Sequence, residues 1–265
     1  MFLDEVAERT RERVKRDKAL VPAAALREEC ARCSPLPSFM EALARRPGEG
    51  IKVIAEVKRS SPSRGPIRPE LVLEDLVGAY ERGGACAISV LTEPEFFGGS
   101  LNDIHRACAA TALPVLRKDF IIDPYQLLEA RAAGAGAVLL IAYLLEDGEL
   151  LRLLSETAGL GMEALIEVHD EDELGAVLDA GAGIIGINNR DLKTLELDLE
   201  TTRRLAHLVP DTKVLVSESG YSQSEQVAGL PHLGVDAVLV GEFLAKHDDP
   251  QRALEELRGS GYDLA

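Results

Sequence analysis

Glu56 and Lys58 stand two apart in the run Ile54-Ala55-Glu56-Val57-Lys58. Residues two apart on an extended strand share a face, so this acid and this ammonium point the same way. Other apolar runs end in a similarly polar manner, as Leu116-Arg117-Lys118-Asp119-Phe120, Leu165-Ile166-Glu167-Val168-His169, Ile187-Asn188-Asn189-Arg190-Asp191 and Val216-Ser217-Glu218-Ser219-Gly220. If Glu56, Lys58, Lys118, Glu167 and Asn188 converge, two carboxylates, two ammoniums and a carboxamide crowd one partly dehydrated pocket. Burying charge is costly unless each ion is paired, and such crowding shifts acidities in the directions that acid-base chemistry uses. A structural ion-pair network is the bland alternative. Five such residues on four strands favour a site.

The elements that must position these groups can be read from apolar periodicity. Short β-branched runs fall at 51–57, 85–91, 114–116, 137–144, 164–168, 184–187, 213–216 and 237–240, each followed by a polar loop. Amphipathic stretches expected as helices lie between them, for example at 71–82, 125–133, 170–180 and 223–229, and several close on Gly where a left-handed cap is wanted. Eight such units predict a single (β/α)8 barrel over 49–265, whose catalytic residues would sit at the C-terminal ends of the strands. An open doubly wound sheet is the alternative architecture. It usually carries a Gly-rich dinucleotide loop after its first strand, where Glu56-Val57-Lys58-Arg59 stands instead. Residues 1–48 precede the first strand as a helical extension. Leu3, Val6, Thr10 and Val14 mark one helix, Pro35 and Pro37 break the chain, and a second helix is expected near 39–44, the whole read as a lid over one barrel end.

In such a barrel the loops after the seventh and eighth strands commonly hold a phosphate on backbone N–H groups. Ser219-Gly220 and Gly241-Glu242 occupy those two loops, and Ser60-Ser61-Pro62-Ser63-Arg64-Gly65 adds hydroxyls and free N–H groups after the first strand. The histidines add little to this picture. His169 is expected to face away from Glu167, and His105, His207, His232 and His247 fall in helices or loops as surface or packing residues. Cys30 and Cys33 are expected as ordinary thiols beside Cys86 and Cys108, since no second Cys pair or His-x3-His run accompanies them. No metal ligand set and no cofactor are expected.

The 265 residues, 46% of them hydrophobic, are enough to bury a large core. A formal net charge of -16 repels nucleic acid and anionic membranes, so neither is expected as a partner. The longest uninterrupted apolar run, 132–145, has 14 residues and two glycines, short of the roughly 20 that a membrane span needs. The charged N-terminal stretch lacks the features of a signal peptide, which predicts a cytoplasmic protein. The expected partner is a small anionic phosphorylated substrate, with the chain a monomer or weak homo-oligomer.

With these residues in hand, the chain resembles the indole-3-glycerol phosphate synthases. The run Ile54-Ala55-Glu56-Val57-Lys58-Arg59-Ser60-Ser61-Pro62-Ser63 matches that family's signature segment. Leu91-Thr92-Glu93, Phe96-Phe97-Gly98-Gly99-Ser100, Leu116 to Phe120, Ile187 to Leu192, Ser217 to Gly220 and Val240 to Glu242 support it. The resemblance implies a carboxy-lyase that closes an indole ring, with Lys118 as general acid and Glu167 in the proton transfers of dehydration. It implies that Glu56 orients its neighbours and Lys58 serves the substrate carboxylate or the departing hydroxyl. It places Asn188, Arg190 and Glu218 on the substrate and Ser61, Ser219, Gly220, Gly241 and Glu242 around the phosphate. Some relatives carry a small hydroxyl residue where Glu242 stands, so here a backbone N–H would serve alone. With no Trp, six Phe and five Tyr, the wall for an aromatic ring is expected to be mostly aliphatic. Two other readings stay open on the sequence: an aldolase with Lys118 or Lys58 as a Schiff-base nucleophile, and a non-catalytic barrel that binds a phosphorylated metabolite.

Overall fold

Each of the apolar runs folds as a strand, and several extend into the polar residues that follow. The computed structural model describes residues 2–62, 65–68 and 70–259. Ser63 and Arg64 of the expected phosphate segment, and 260–265 of the barrel segment, lie outside the described residues. The strands are β1 (Lys52–Val57), β2 (Ala87–Leu91), β3 (Val115–Lys118), β4 (Ala137–Ile141), β5 (Glu163–Val168), β6 (Ile184–Asn188), β7 (Val214–Glu218) and β8 (Ala237–Val240). All pair in parallel with their sequence neighbours, and β1 pairs with β8 through Lys52↔Ala237 to Ala55↔Val240, which closes the barrel. The doubly wound alternative is excluded by that closure.

The helices are α1 (Phe2–Leu20), α2 (Ala23–Cys30), α3 (Phe39–Leu43), α4 (Leu73–Arg82), α5 (Asn102–Ala110), α6 (Pro124–Ala133), α7 (Asp147–Gly159), α8 (Glu171–Asp179), α9 (Glu200–Leu205), α10 (Ser224–Ala228), α11 (Glu242–Lys246) and α12 (Pro250–Arg258). Their ends follow local chemistry. Asp123 caps α6 in a reciprocal capping box with Gln126, and Gly134 ends the same helix at φ 94°, where a Cβ would be strained.

Strand alternation divides the core into two shells. Val53, Val90, Val138, Ile166 and Ile187 face outward and pack against the helices. Ile54, Leu116, Leu139, Leu165 and Val216 face inward and fill the lower barrel. Above them the inward positions turn polar, at Glu56, Lys118, Glu167, Asn188 and Glu218.

The N-terminal extension is divided between both ends of the barrel rather than capping one. Phe39 and Leu43 of α3 are fully buried and join the inward-facing cluster. This segment is pinned to the starts of strands: Met40 N donates to Glu163 Oε2 at 2.8 Å and Arg45 N to Asp236 Oδ1 at 3.1 Å. Helix α1 lies at the opposite, C-terminal end. Its Arg13 donates to Asp119 Oδ1 at 2.8 Å, its Lys18 to Asp123 Oδ2 at 2.7 Å, and its Arg9 pairs with Glu95.

Candidate active site

The inward positions at the tops of five strands form two groups that together ring the barrel mouth. Lys118 Nζ lies 3.2 Å from Glu167 Oε2 and 3.0 Å from Glu218 Oε2. Asn188 Nδ2 donates to Glu167 Oε1 at 3.0 Å, and Lys58 Nζ lies 3.3 Å from Glu56 Oε1. All three carboxylates are buried, yet Glu56 Oε2 and Glu218 Oε1 have no hydrogen-bond partner among the described residues. Buried oxygens without partners are costly in a finished core. Of these two residues only Glu56 lines the cavity above the ring.

The ring's acidities follow from burial set against charge. Burial opposes the charge on Lys118, but Glu218, Glu167 and Glu56 outweigh it and hold the ammonium protonated, well above the usual lysine range. Burial likewise opposes the charge on Glu167, yet Lys118, His169 and Asn188 hold it ionised, well below the usual range. Glu218 goes the other way: burial, together with the neighbouring charge of Glu167, outweighs Lys118 and pushes its carboxyl up to about 7. One ammonium therefore stands between an ionised carboxylate and a carboxyl that exchanges its proton near neutral pH.

The raised acidity of Glu218 has a stability consequence. A carboxyl that titrates near 7 in the fold and near ~4.3 in the unfolded chain binds more protons when folded, so stability falls as pH rises through that window. Glu218→Gln is expected to gain on the order of 2–3 kcal/mol relative to the parent at pH 8 and little at pH 5. Urea melts of both proteins at the two pH values measure this. The same difference at both would show that Glu218 does not titrate between them.

A cavity of about 420 Å³ opens above the ring. Glu56, Lys58, Lys118, Glu167, Asn188, Arg190, Ser219, Gly220, Gly241 and Glu242 line it, with apolar walls from Leu91, Leu139, Leu192 and Leu239. Most of the apolar lining is aliphatic, but three of the six phenylalanines, Phe97, Phe120 and Phe243, also face it. Phe97 is placed by Glu93, whose buried carboxylate accepts the N–H groups of Glu95, Phe96 and Phe97 and so folds the loop after β2 inward. The Lys58 ammonium stands 5.7 Å from the Phe97 ring centroid.

Not every expected residue enters the cavity lining. Ser61 sits in a two-residue ribbon, Ser60–Ser61 paired with Gly65–Pro66, with its hydroxyl buried and without a partner among the described residues. Glu218 lies beneath the cavity, reaching it through Lys118. The loops after β7 and β8 both border the cavity. Ser219 and Gly220 adopt φ 71° and 95°, which turns this loop, while Asn189 Nδ2 donates to Ser219 O at 3.1 Å. Gly241 is held against Glu56, where a Cβ would lie 2.2 Å from Oε1.

His169 corrects the sequence reading. Its Nε2 lies 3.4 Å from Glu167 Oε1 rather than facing away. The rule that puts Glu56 and Lys58 on one face, a period of two along extended chain, applies equally to Glu167 and His169. Lys246, which lines the cavity and donates to Glu242 Oε1 at 2.6 Å, was also missed. Its signal was a spacing of four from Glu242 on the short helix α11. Arg117 and Asp119, between and beside the site residues, point the other way into a buried network with Thr92 and Arg13.

A family model described as indole-3-glycerol phosphate synthase matches residues 3–257. The chain belongs to this family. The indole-3-glycerol phosphate synthase of Kineococcus radiotolerans is 47% identical over 261 residues, covering 98% of this chain and 95% of the relative. That of Campylobacter hominis is 43% identical over 260 residues, covering 98% and 100%. The activity is therefore the family's, a carboxy-lyase reaction of tryptophan biosynthesis. It converts 1-(2-carboxyphenylamino)-1-deoxyribulose 5-phosphate to indole-3-glycerol phosphate, with loss of carbon dioxide and water. Among solved structures, a mutant tryptophan synthase alpha-subunit from Pyrococcus furiosus aligns at TM-score 0.60 and 14% identity over 80% of this chain and 99% of that one. A 3-hexulose-6-phosphate synthase from Salmonella typhimurium aligns at 0.62 and 14%, over 78% and 97%. At these identities the likeness is one of fold, a TIM barrel. In this indole-3-glycerol phosphate synthase family member, no helix of the described residues is long and apolar enough to cross a membrane.

Proposed function

We propose that ring closure is carried by the Glu56, Lys58, Lys118 and Glu167 side chains. The observation that supports this most is a buried ammonium held between two buried carboxyls at the floor of a cavity. The substrate's phosphate lies along the N–H groups of the Ser219-Gly220 and Gly241-Glu242 loops, with Ser61 behind them, which leaves its aromatic ring against the leucines and Phe97. Lys118 donates a proton to the ketone oxygen as the ring carbon that bears the carboxylate attacks the carbonyl carbon. Carbon dioxide then departs, its bonding electrons restoring the aromatic ring. The new hydroxyl leaves as water with a proton from a lysine, and Glu167 either takes the ring-system proton or stabilises the developing cation.

Lys58, paired with Glu56, is placed to meet the substrate carboxylate or the departing hydroxyl. Asn188 and Arg190 bind hydroxyl and anilino groups, and Glu218 acts on the substrate through Lys118. Lys58, Lys118 and Arg190 bring the positive charge that a phosphorylated carboxylate requires inside a chain of net charge -16. Lys246 adds a further cation beside Glu242. The reading is completed by a cytoplasmic location, action as a monomer or weak homo-oligomer, and no cofactor.

The test is a time course of indole fluorescence with purified protein and substrate, since a chain with no Trp adds little background. Glu167→Gln is expected to lower kcat by about 10²-fold or more, the usual share of a positioned acid or base. Retention of the parent rate would remove Glu167 from the proton transfers.

A further inference from the structure

Lys118 stands nearly midway between Glu167 and Glu218, at 3.2 and 3.0 Å, and both carboxylates are almost wholly buried. Two carboxylates that share one ammonium give no reason, by that contact alone, for one to stay ionised and the other to keep a proton. The difference lies behind them. Glu218 Oε1 has no partner among the described residues. Glu167 Oε1 accepts from Asn188 Nδ2 and faces His169 Nε2 at 3.4 Å.

His169 is itself fixed in place. Its backbone N donates to Glu173 Oε2 at 2.8 Å, and its Nδ1 lies 3.1 Å from the same oxygen. Glu173 is held in the first turn of α8, where Asp170 caps the helix through the Glu173 N–H. The imidazole lies between two carboxylates, with Nδ1 against Glu173 and Nε2 without a hydrogen-bond partner among the described residues, so at 3.4 Å it acts on Glu167 through its charge. Burial opposes its charge, but Glu167 and Glu173 outweigh that and push its pKa up to about 10, so it is an imidazolium at neutral pH.

Resting on the reading of Glu167 given above, we propose that His169 is a positioning residue that makes Glu167, and not Glu218, the ionised carboxylate beside Lys118. The other charged and polar groups around the pair are Lys118 from β3, Asn188 from β6, Glu218 from β7 and the Glu56 and Lys58 pair from β1, with Glu173 behind on α8. Of these, Lys118 acts on both carboxylates, while Asn188 and His169 act on Glu167 alone. Asn188 is neutral, so His169 is the one charge that breaks the symmetry. It does not line the cavity; it biases which neighbour holds the proton.

The experiment is the pH dependence of kcat and KM for the full chain carrying His169→Gln, with Glu173→Gln as a second variant that loosens the same ring. His169→Gln is expected to move the acid limb of the kcat profile up by about one pH unit, because Glu167 then protonates more readily, with kcat at pH 7 and KM each within about twofold of the parent. Glu173→Gln is expected to move the limb the same way by less, and it carries the test alone if His169→Gln does not fold. An acid limb that stays in place in both variants, or a loss of kcat uniform across pH, overturns the proposal. Glu167→Gln separates the two readings. If it keeps the parent rate, the role of Glu167 fails first. If it is inactive while the His169→Gln limb is unmoved, only the role of His169 fails.

Discussion

Lys118→Met is expected to lower kcat by on the order of 10³-fold while the barrel still folds. Methionine fills a similar length of the inward-facing β3 position but can neither donate a proton nor balance Glu56, Glu167 and Glu218. Removing one partner of a buried ion pair commonly costs about 3–5 kcal/mol, because the remaining charge is left uncompensated. Here the carboxylates can relieve that cost by binding protons. Their folded-state acidities then rise above the unfolded values near ~4.3, so the variant's stability loss should grow as pH increases through and above that range. Thermal melts at pH 5.5 and pH 8, beside the fluorescence assay, measure both effects. A variant that keeps more than a tenth of the parent kcat would remove Lys118 as the general acid. Borohydride trapping of the parent with substrate would then decide whether a lysine acts through a Schiff base.

Gly241→Ala should be nearly as damaging although it adds one methyl group. That carbon would lie 2.2 Å from Glu56 Oε1 and 2.9 Å from its carboxyl carbon, distances that no side chain accepts. The Glu56 carboxylate must swing aside, which breaks its 3.3 Å approach to Lys58 and displaces the loop expected to hold phosphate. Misplacing a reacting group by about 1 Å costs about 10²-fold, so kcat/KM is expected to fall by that order, with KM raised. Gly229→Ala is the matched control, since nothing lies within 4 Å of its added carbon. Steady-state kinetics of the pair settle the matter, and a Gly241→Ala enzyme within twofold of the parent would show that the strand end shifts without consequence.

The parts of the site that were legible in the sequence are those governed by a period of two. Glu56 and Lys58 share a face because they are two apart, and polar residues at the ends of β3, β5, β6 and β7 are visible as breaks in apolar runs. The barrel was legible because eight runs recur at the spacing of a strand and a crossover helix. Helix ends were legible where Asp123, Asp170 or Gly134 supplies local capping chemistry. What stayed hidden depends on approach between distant segments. No local pattern announces that α3 turns under the barrel to meet Glu163 and Asp236, or that Ser61 enters a short ribbon. His169 was legible in principle, since the alternation that paired Glu56 with Lys58 covers it. It was misread as a neighbour on the opposite face, although it stands two residues after Glu167.

The contact between Gly241 and Glu56 lies at the seam where β8 meets β1, which joins Lys52 to Ala237 across most of the chain's length. Pairing of such distant segments is slow in folding because the intervening chain must be gathered first. A ribosome must therefore deliver nearly the whole chain before the two halves of the pocket can touch. A nascent or truncated barrel that stops short of β8 carries Lys118, Glu167 and the Glu56–Lys58 pair but lacks the Gly241 loop that closes against Glu56, so it is an arc of strands with an incomplete pocket. In a refolding experiment the return of turnover should thus follow the last stitch of the barrel, later than the helical signal, and it would time that event without any added label.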